Sequence, residues 1–131
     1  MIVLDASALV DVLVGTDSAP WVLDQLSGQT VCAPSHQPAE VLSATARLNR
    51  AGKLGEEAWG LALNGLASFE QELVEPSLAN LKAAQSLTER IRVLDGLYVA
   101  LAMQRALPLI TTDERLVRSE PPCTILSPEG S

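Results

Sequence analysis

At 131 residues, 47% of them apolar, the chain suits one domain and is long enough to bury roughly two-thirds of its unfolded surface. Only four side chains are aromatic (Trp21, Trp59, Phe69 and Tyr98), so the core must be aliphatic and no stacking platform for unpaired bases is evident. The formal charge of −7 shows, at the level of net charge, none of the basic face that holds nucleic acid by counterion release, which counts against a nuclease.

Residues 1–4 are a short apolar run that predicts a buried parallel strand. Residues 6–14 are helix-compatible and stop at Gly15. Ser18 is placed to cap a helix running to Leu26, with Pro20 in its first turn and Gly28 as its stop. A second strand is predicted over residues 30–33, followed by Pro34. Residues 35–50 predict a helix whose Val41, Leu42, Thr45 and Leu48 share one side, with Gly52 ending it.

Gly55 opens a further helix to about residue 69, with Glu56 and Glu57 favourably placed in its first turn. Its Trp59, Leu63 and Leu66 form an apolar stripe with two readings, packing on its own sheet or burial against a second subunit. A strand over residues 72–74 is closed by Pro76, and Ser77 caps a helix to about residue 88. A helix from Asp95 to about residue 106 leads to a strand over 107–110. Asp113 then starts a short helix to about residue 117, and residues 123–126 make the last strand. Residues 127–131 are expected to fray. No repeat or long linker divides the chain, so residues 1–131 are expected to form one domain.

Cys32 and Cys123 have no zinc-like spacing and are too few for a disulfide framework. The first ten residues carry Asp5 and lack a basic start, unlike a signal peptide. No apolar run approaches the ~20 residues needed to cross a bilayer. The expectation is a reduced, cytoplasmic protein with no membrane partner.

Strands alternating with helices imply a parallel sheet covered on both faces, a three-layer α/β/α arrangement. Ligands in such sheets gather beyond the carboxyl ends of the strands, near the topological switch point. Asp5 and Asp113 fall at strand ends, while Glu40 and Asp95 fall in first turns of helices that can face the same crevice. Each acid has an ordinary alternative. Asp5, Asp95 and Asp113 can act as N-caps, worth about 1 kcal/mol each, and Glu40 can simply complement a helix dipole. Four together are harder to explain that way. Two carboxylates ~4 Å apart repel by roughly 4 kcal/mol at an effective dielectric near 20, so a cluster protonates or takes a cation. Hard oxygen donors select Mg²⁺ or Mn²⁺ over zinc. Such an ion is suited to cutting a phosphodiester.

Other chemistries fit poorly. The single histidine, His36, reads as structural or solvated, and no Ser-His-Asp or Cys-His pairing is evident. No glycine-rich phosphate loop follows the first strand. Ser7 and Thr111 are candidates for orienting a ligand carboxylate, with local turn bonding as the alternative. Basic residues cluster as Arg47, Arg50 and Lys53, as Arg90 and Arg92, and as Arg115 and Arg118. The last two clusters flank Asp95 and Asp113. Solvated helix ends explain all three clusters equally well.

With these residues in place, the chain resembles the PIN domain, specifically the VapC-type toxins of toxin–antitoxin pairs. Ile2-Val3-Leu4-Asp5-Ala6-Ser7-Ala8-Leu9-Val10 is similar to the family's first strand with its Asp-x-Ser element. The segment 34–48 resembles the one carrying its glutamate, here Glu40. Leu94-Asp95-Gly96-Leu97-Tyr98-Val99-Ala100-Leu101-Ala102 resembles its third acidic motif, and Leu107-Pro108-Leu109-Ile110-Thr111-Thr112-Asp113 its terminal Thr-x-Asp. Each motif alone is weak, but the ordered set spans nearly the whole chain.

The resemblance implies a Mg²⁺- or Mn²⁺-dependent endoribonuclease. Asp5, Glu40, Asp95 and Asp113 would ligate metal directly or through water, assisted by Ser7 and Thr111. It further implies an RNA substrate, a homodimer and a cognate antitoxin that blocks the site. Gly96 stands where the family more often has alanine, a change expected to loosen the helix start slightly. Two other functions compete. One is a PIN-like module that holds metal or a partner without cutting RNA, which loss of a site acid would favour. The other is a receiver-type signalling domain. That reading needs an aspartate after the third strand and a lysine near the last ones. Here the third strand runs into Glu75-Pro76, and the only lysines are Lys53 and Lys82.

Overall fold

The structure is a computed structural model that describes residues 1–128. Five strands, β1 (Ile2–Leu4), β2 (Val31–Pro34), β3 (Glu72–Val74), β4 (Leu109–Ile110) and β5 (Ile125–Leu126), form one sheet in the order β3-β2-β1-β4-β5. Every pairing is parallel. Parallel neighbours need crossovers, and seven helices supply them: α1 (Ala6–Val14), α2 (Ala19–Leu26), α3 (Gln37–Arg50), α4 (Glu56–Ser68), α5 (Leu78–Ser86), α6 (Val93–Arg105) and α7 (Glu114–Arg118).

The strand order fixes the layers. From β1 to β3 the chain steps one way across the sheet, then returns past β1 to β4 and β5. Right-handed crossovers therefore place α1 to α4 on one face and α5 to α7 on the other. Packing agrees, since α1 contacts α2, α3 and α4, while α5 lies along α6. The sheet between them is dry. Val3, Leu4, Cys32, Ala33, Leu109 and Ile110 have no measurable exposure. As composition requires, the core is aliphatic, with Tyr98 its one fully buried aromatic side chain.

Most predicted elements are present, and the departures have local causes. Ser18 sits at the N-cap of α2 in a helical conformation and makes no side-chain cap bond. Pro20, the second helical residue, has no N–H to offer it. Leu42 is 46% exposed although Val41 and Thr45 are fully buried. One residue along a helix turns 100°, which carries Leu42 off the stripe that Val41, Thr45 and Leu48 share. The strand expected over 107–110 is only Leu109–Ile110. Ala106 adopts a left-handed φ of 53° and Leu107 N–H returns to Ala102 O, so the end of α6 uses that residue.

Helix α6 begins two residues before Asp95, because Arg92 is extended and its carbonyl accepts from Gly96 N–H to close the first turn. The last strand begins at Ile125 rather than Cys123. Ser127, expected to fray, is buried, and residues 129–131 of that predicted tail lie outside the described residues. Both cysteines are free thiols. Among the described residues no helix is long and apolar enough to cross a membrane.

Candidate active site

The chain reverses its direction of travel between β1 and β4, and the candidate acids gather at the carboxyl ends of those two strands. Asp5 directly follows β1, and Thr111 directly follows β4. The strands pair through Leu4 and Ile110, and Asp5 N–H donates to Ile110 O at 2.9 Å. Glu40 comes from the first turn of α3 and Asp95 from the first turn of α6. Asp113 sits at the start of α7. All four acids line one cleft of about 380 Å³, together with Ser7, Arg47, Arg92 and Arg115. The entry to α3 is pinned from below. The buried amide of Gln37 donates to Leu4 O at 3.1 Å and exchanges hydrogen bonds with Gln71, which fixes Glu40 relative to the end of β1.

Asp5 is the buried centre. It occupies the N-cap position of α1 but makes no capping bond. Instead its Oδ2 accepts from Ser7 Oγ at 2.6 Å and from Thr111 Oγ1 at 2.7 Å. Both hydroxyls converge on one oxygen and neither takes up Oδ1. They are themselves fixed by the backbone, because Thr112 N–H donates to Ser7 Oγ and Asp113 N–H to Thr111 Oγ1. Burial pushes the Asp5 carboxyl up to about 6; the two hydroxyls oppose the shift, and the charges of Asp95 and Glu40 add to it.

Glu40 has the opposite environment. Tyr98 Oη donates to its Oε1 at 2.8 Å, and His36 Nε2 lies 3.1 Å from the same oxygen. The His36 contact is close but is not aligned as a hydrogen bond. The imidazole packs edge-on against the Tyr98 ring, with centroids 5.0 Å apart. Burial by itself would raise the Glu40 carboxyl, but His36, Tyr98 and the charge of Arg92 outweigh it and hold the group below its ordinary range.

Asp95 and Asp113 face arginines. Arg92 Nε lies 3.2 Å from Asp95 Oδ2. Arg115 Nη2 lies 3.0 Å from Asp113 Oδ2 and 3.9 Å from Asp95 Oδ2. Asp113 also caps α7, its Oδ1 accepting from Arg115 N–H at 3.0 Å. Of the three possible N-caps, it alone caps. Burial raises the Asp95 carboxyl; Arg92 pulls it back, and Asp113 and Glu40 push it further up.

The donor set fits a hard divalent cation in kind: four carboxylates on one cleft, two of them raised by burial and by their like-charged neighbours. Among the described residues, no three His, Cys, Asp or Glu side chains are grouped so that they could hold an ion together. Asp95 and Asp113 are turned to arginines, and Glu40 to Tyr98 and His36. Arg92 and Arg115 supply the positive charge that the acids need.

Comparison with known proteins shows the family. Residues 2–120 match the family model described as PIN domain. The chain belongs to the PIN-domain family. Among curated relatives, it is 42% identical over 122 residues to Ribonuclease VapC3 of Mycobacterium tuberculosis, covering 92% of this chain and 88% of that protein. Ribonuclease VapC12 of the same organism is 38% identical over 121 residues, covering 91% and 92%. These similarities place the PIN domain among the VapC proteins.

Solved structures share its fold at low identity. VapC20 of M. tuberculosis, described as a Sarcin-Ricin loop cleaving toxin, superposes with a TM-score of 0.68 at 15% identity, covering 91% of this chain and 95% of that one. VapBC2 of Rickettsia felis, bound to a DNA fragment from its promoter, gives 0.67 at 20% identity, covering 97% and 98%.

Four side chains in or behind the PIN-domain cleft, Tyr98, His36, Arg92 and Arg115, were not assigned by sequence reasoning. Tyr98 carried a usable signal: it is the one phenol in an aliphatic core, three residues after Asp95, and a buried hydroxyl needs a partner. His36 reads from sequence as structural or solvated, yet it lies against Glu40, one helical turn away. Arg92 and Arg115 stand in clusters that flank the acids, but only the fold separates them from Arg118, which pairs with Glu114.

Proposed function

We propose that this chain, acting as one PIN-like domain over residues 1–131, is a divalent-metal-dependent endoribonuclease and the toxin of a toxin–antitoxin pair. One observation carries the reading: four carboxylates from four separate elements line one cleft at the switch point of a parallel sheet. The names of the VapC relatives support the ribonuclease activity, and a solved VapBC complex of the same fold supports an antitoxin partner.

In this reading Asp5, Glu40, Asp95 and Asp113 hold Mg²⁺ or Mn²⁺ directly or through water. The chemistry such an ion would supply there is activation of a water and polarisation of a phosphoryl oxygen. The chain supplies the rest. Ser7 and Thr111 fix the Asp5 carboxylate through Oδ2 and leave its other oxygen to the cleft. Tyr98 and His36 keep Glu40 ionised and aimed. Arg92 and Arg115 neutralise Asp95 and Asp113 until other positive charge arrives. A cognate antitoxin would cover this cleft, and a homodimer would bring two clefts into one assembly.

The test is cleavage of total cellular RNA by antitoxin-free protein in Mg²⁺, in Mn²⁺ and in EDTA, beside protein carrying Asp95→Asn. Discrete fragments that require metal and disappear in the variant are expected. Folded wild type that leaves RNA intact under every condition would instead identify a PIN-like binding module without catalysis.

A further inference from the structure

Three arginines line the acidic cleft, and two of them are held by its carboxylates. Arg92 is bonded to Asp95, and Arg115 sits between Asp113 and Asp95. Arg47 differs. Its Nη1 donates to Ser43 Oγ at 3.0 Å, one turn back along α3, and no carboxylate of the described residues pairs with it. Its position is central. It lines the acid cleft, the adjoining cavity of about 450 Å³ beside Val93 and Leu94, and the groove on the other side that runs past Asp11 and Lys53. It follows Glu40 by seven residues on the same helix, which places it ~10 Å along the axis and within about 20° of the same face.

On the reading that this cleft cuts RNA, we propose that Arg47 binds a backbone phosphate flanking the scissile one. The substrate strand then crosses α3 from the Leu94 side to the Lys53 side. A chain of net charge −7 repels a polyanion, and the cleft acids strengthen that repulsion locally. An exposed guanidinium with no carboxylate partner among the described residues, on the path through the cleft, is the element that offsets it. Its planar fork can take two oxygens of one phosphate, although it fits a carboxylate as well. The place of Arg47 where the acid cleft meets both neighbouring grooves is what points to the backbone of a strand passing through. Because the contact is to phosphate, it positions the strand and carries no base specificity.

The test uses the full antitoxin-free chain carrying Asp95→Asn in Mg²⁺, titrated with a fluorescein-labelled mixed-sequence oligoribonucleotide at several salt concentrations. Adding Arg47→Ala is expected to weaken binding about ten-fold, in line with loss of one charge-assisted contact. The slope of log K against log salt should fall by about 0.7, as for one phosphate contact to a single strand. Arg47→Lys should keep most of that slope. Arg50→Ala, an exposed neighbour on α3, should match the parent.

In otherwise wild-type protein, Arg47→Ala should raise KM for RNA with little change in kcat. If Arg47→Ala binds with the affinity and slope of a parent that does bind RNA, the assignment is overturned while the ribonuclease reading stands. If wild type cuts no RNA and the parent binds none, the ribonuclease reading fails first and takes this assignment with it.

Discussion

Tyr98 Oη donates to Glu40 Oε1 at 2.8 Å, joining α6 to α3 across 58 residues of sequence. The ring is fully buried, so the hydroxyl has no access to water, and the carboxylate is its partner. Tyr98→Phe keeps the ring and removes the bond. Hydrogen bonds to charged groups contribute roughly 1.5–3 kcal/mol, so chemical denaturation should show a loss of about 2 kcal/mol. The Mg²⁺ concentration for half-maximal cleavage should rise several-fold as Glu40 loses its anchor. A variant with wild-type metal dependence would mean that His36 alone is enough to place Glu40.

Asp5 gives the metal-free protein a distinctive pH response. Its carboxyl lies near 6 when folded against an ordinary 3.8, so between those values the folded chain keeps a proton that the unfolded chain releases. Stability from this group is therefore greatest at low pH and is lost as pH rises to about 6. The full difference is about 3 kcal/mol. Glu40, held below its ordinary value, acts in the opposite sense. Asp5→Asn isolates the first effect. Denaturant melts in EDTA should show the variant gaining on wild type as pH rises from 4 to 6.5, with the gap constant above that, although the variant should not cleave RNA. A gap that does not change with pH would show that Asp5 is ionised throughout.

The topology was legible because alternating apolar runs and helical stretches leave few arrangements other than a parallel sheet. Asp5 and Asp113 at strand ends then mark which edge of the sheet is functional. Hidden from sequence was which acids also serve a helix. Asp5, Asp95 and Asp113 all read as N-caps, but Arg92 is the extended residue before α6, and Asp5 turns to two hydroxyls instead. The second of these depends on the register of β1 against β4, a contact more than a hundred residues apart. Gly96 shows the same limit. By helix propensity it only loosens α6, whereas in the fold an added Cβ would stand 3.3 Å from Ala84 Cβ and 3.4 Å from its Cα, so the glycine lets α5 approach closely.

Ser7 and Thr111 should prove coupled, because both donate to Asp5 Oδ2 and their own oxygens are 3.2 Å apart. Ser7→Ala leaves Thr111 on the carboxylate, and Thr111→Val leaves Ser7. Each single change should destabilise by about 1–2 kcal/mol. Losing both removes the last donor to a buried acid, so the double variant should lose more stability than the sum of the two singles, by about 0.5 kcal/mol or more, the usual range for side chains in one network. Denaturation at pH 5 and pH 8 would separate this from simple packing, since the deficit should grow at pH 8, where Asp5 is charged. An additive cycle would mean that the two hydroxyls act independently.

Arg115 competes with any cation that Asp95 and Asp113 would share. Its Nη2 is 3.0 Å from one acid and 3.9 Å from the other. Arg115→Gln keeps the backbone N–H that Asp113 Oδ1 accepts and removes only the guanidinium charge. The side chain is more than half exposed, so the pairing contributes at most about 1 kcal/mol. Calorimetric titration of the metal-free variant with Mn²⁺ should therefore show binding up to about five-fold tighter than wild type. Without metal the variant should melt lower at pH 8, where Asp95 and Asp113 are left to repel. If Mn²⁺ binding is weaker instead, Arg115 must help to organise the acids rather than stand in for the ion.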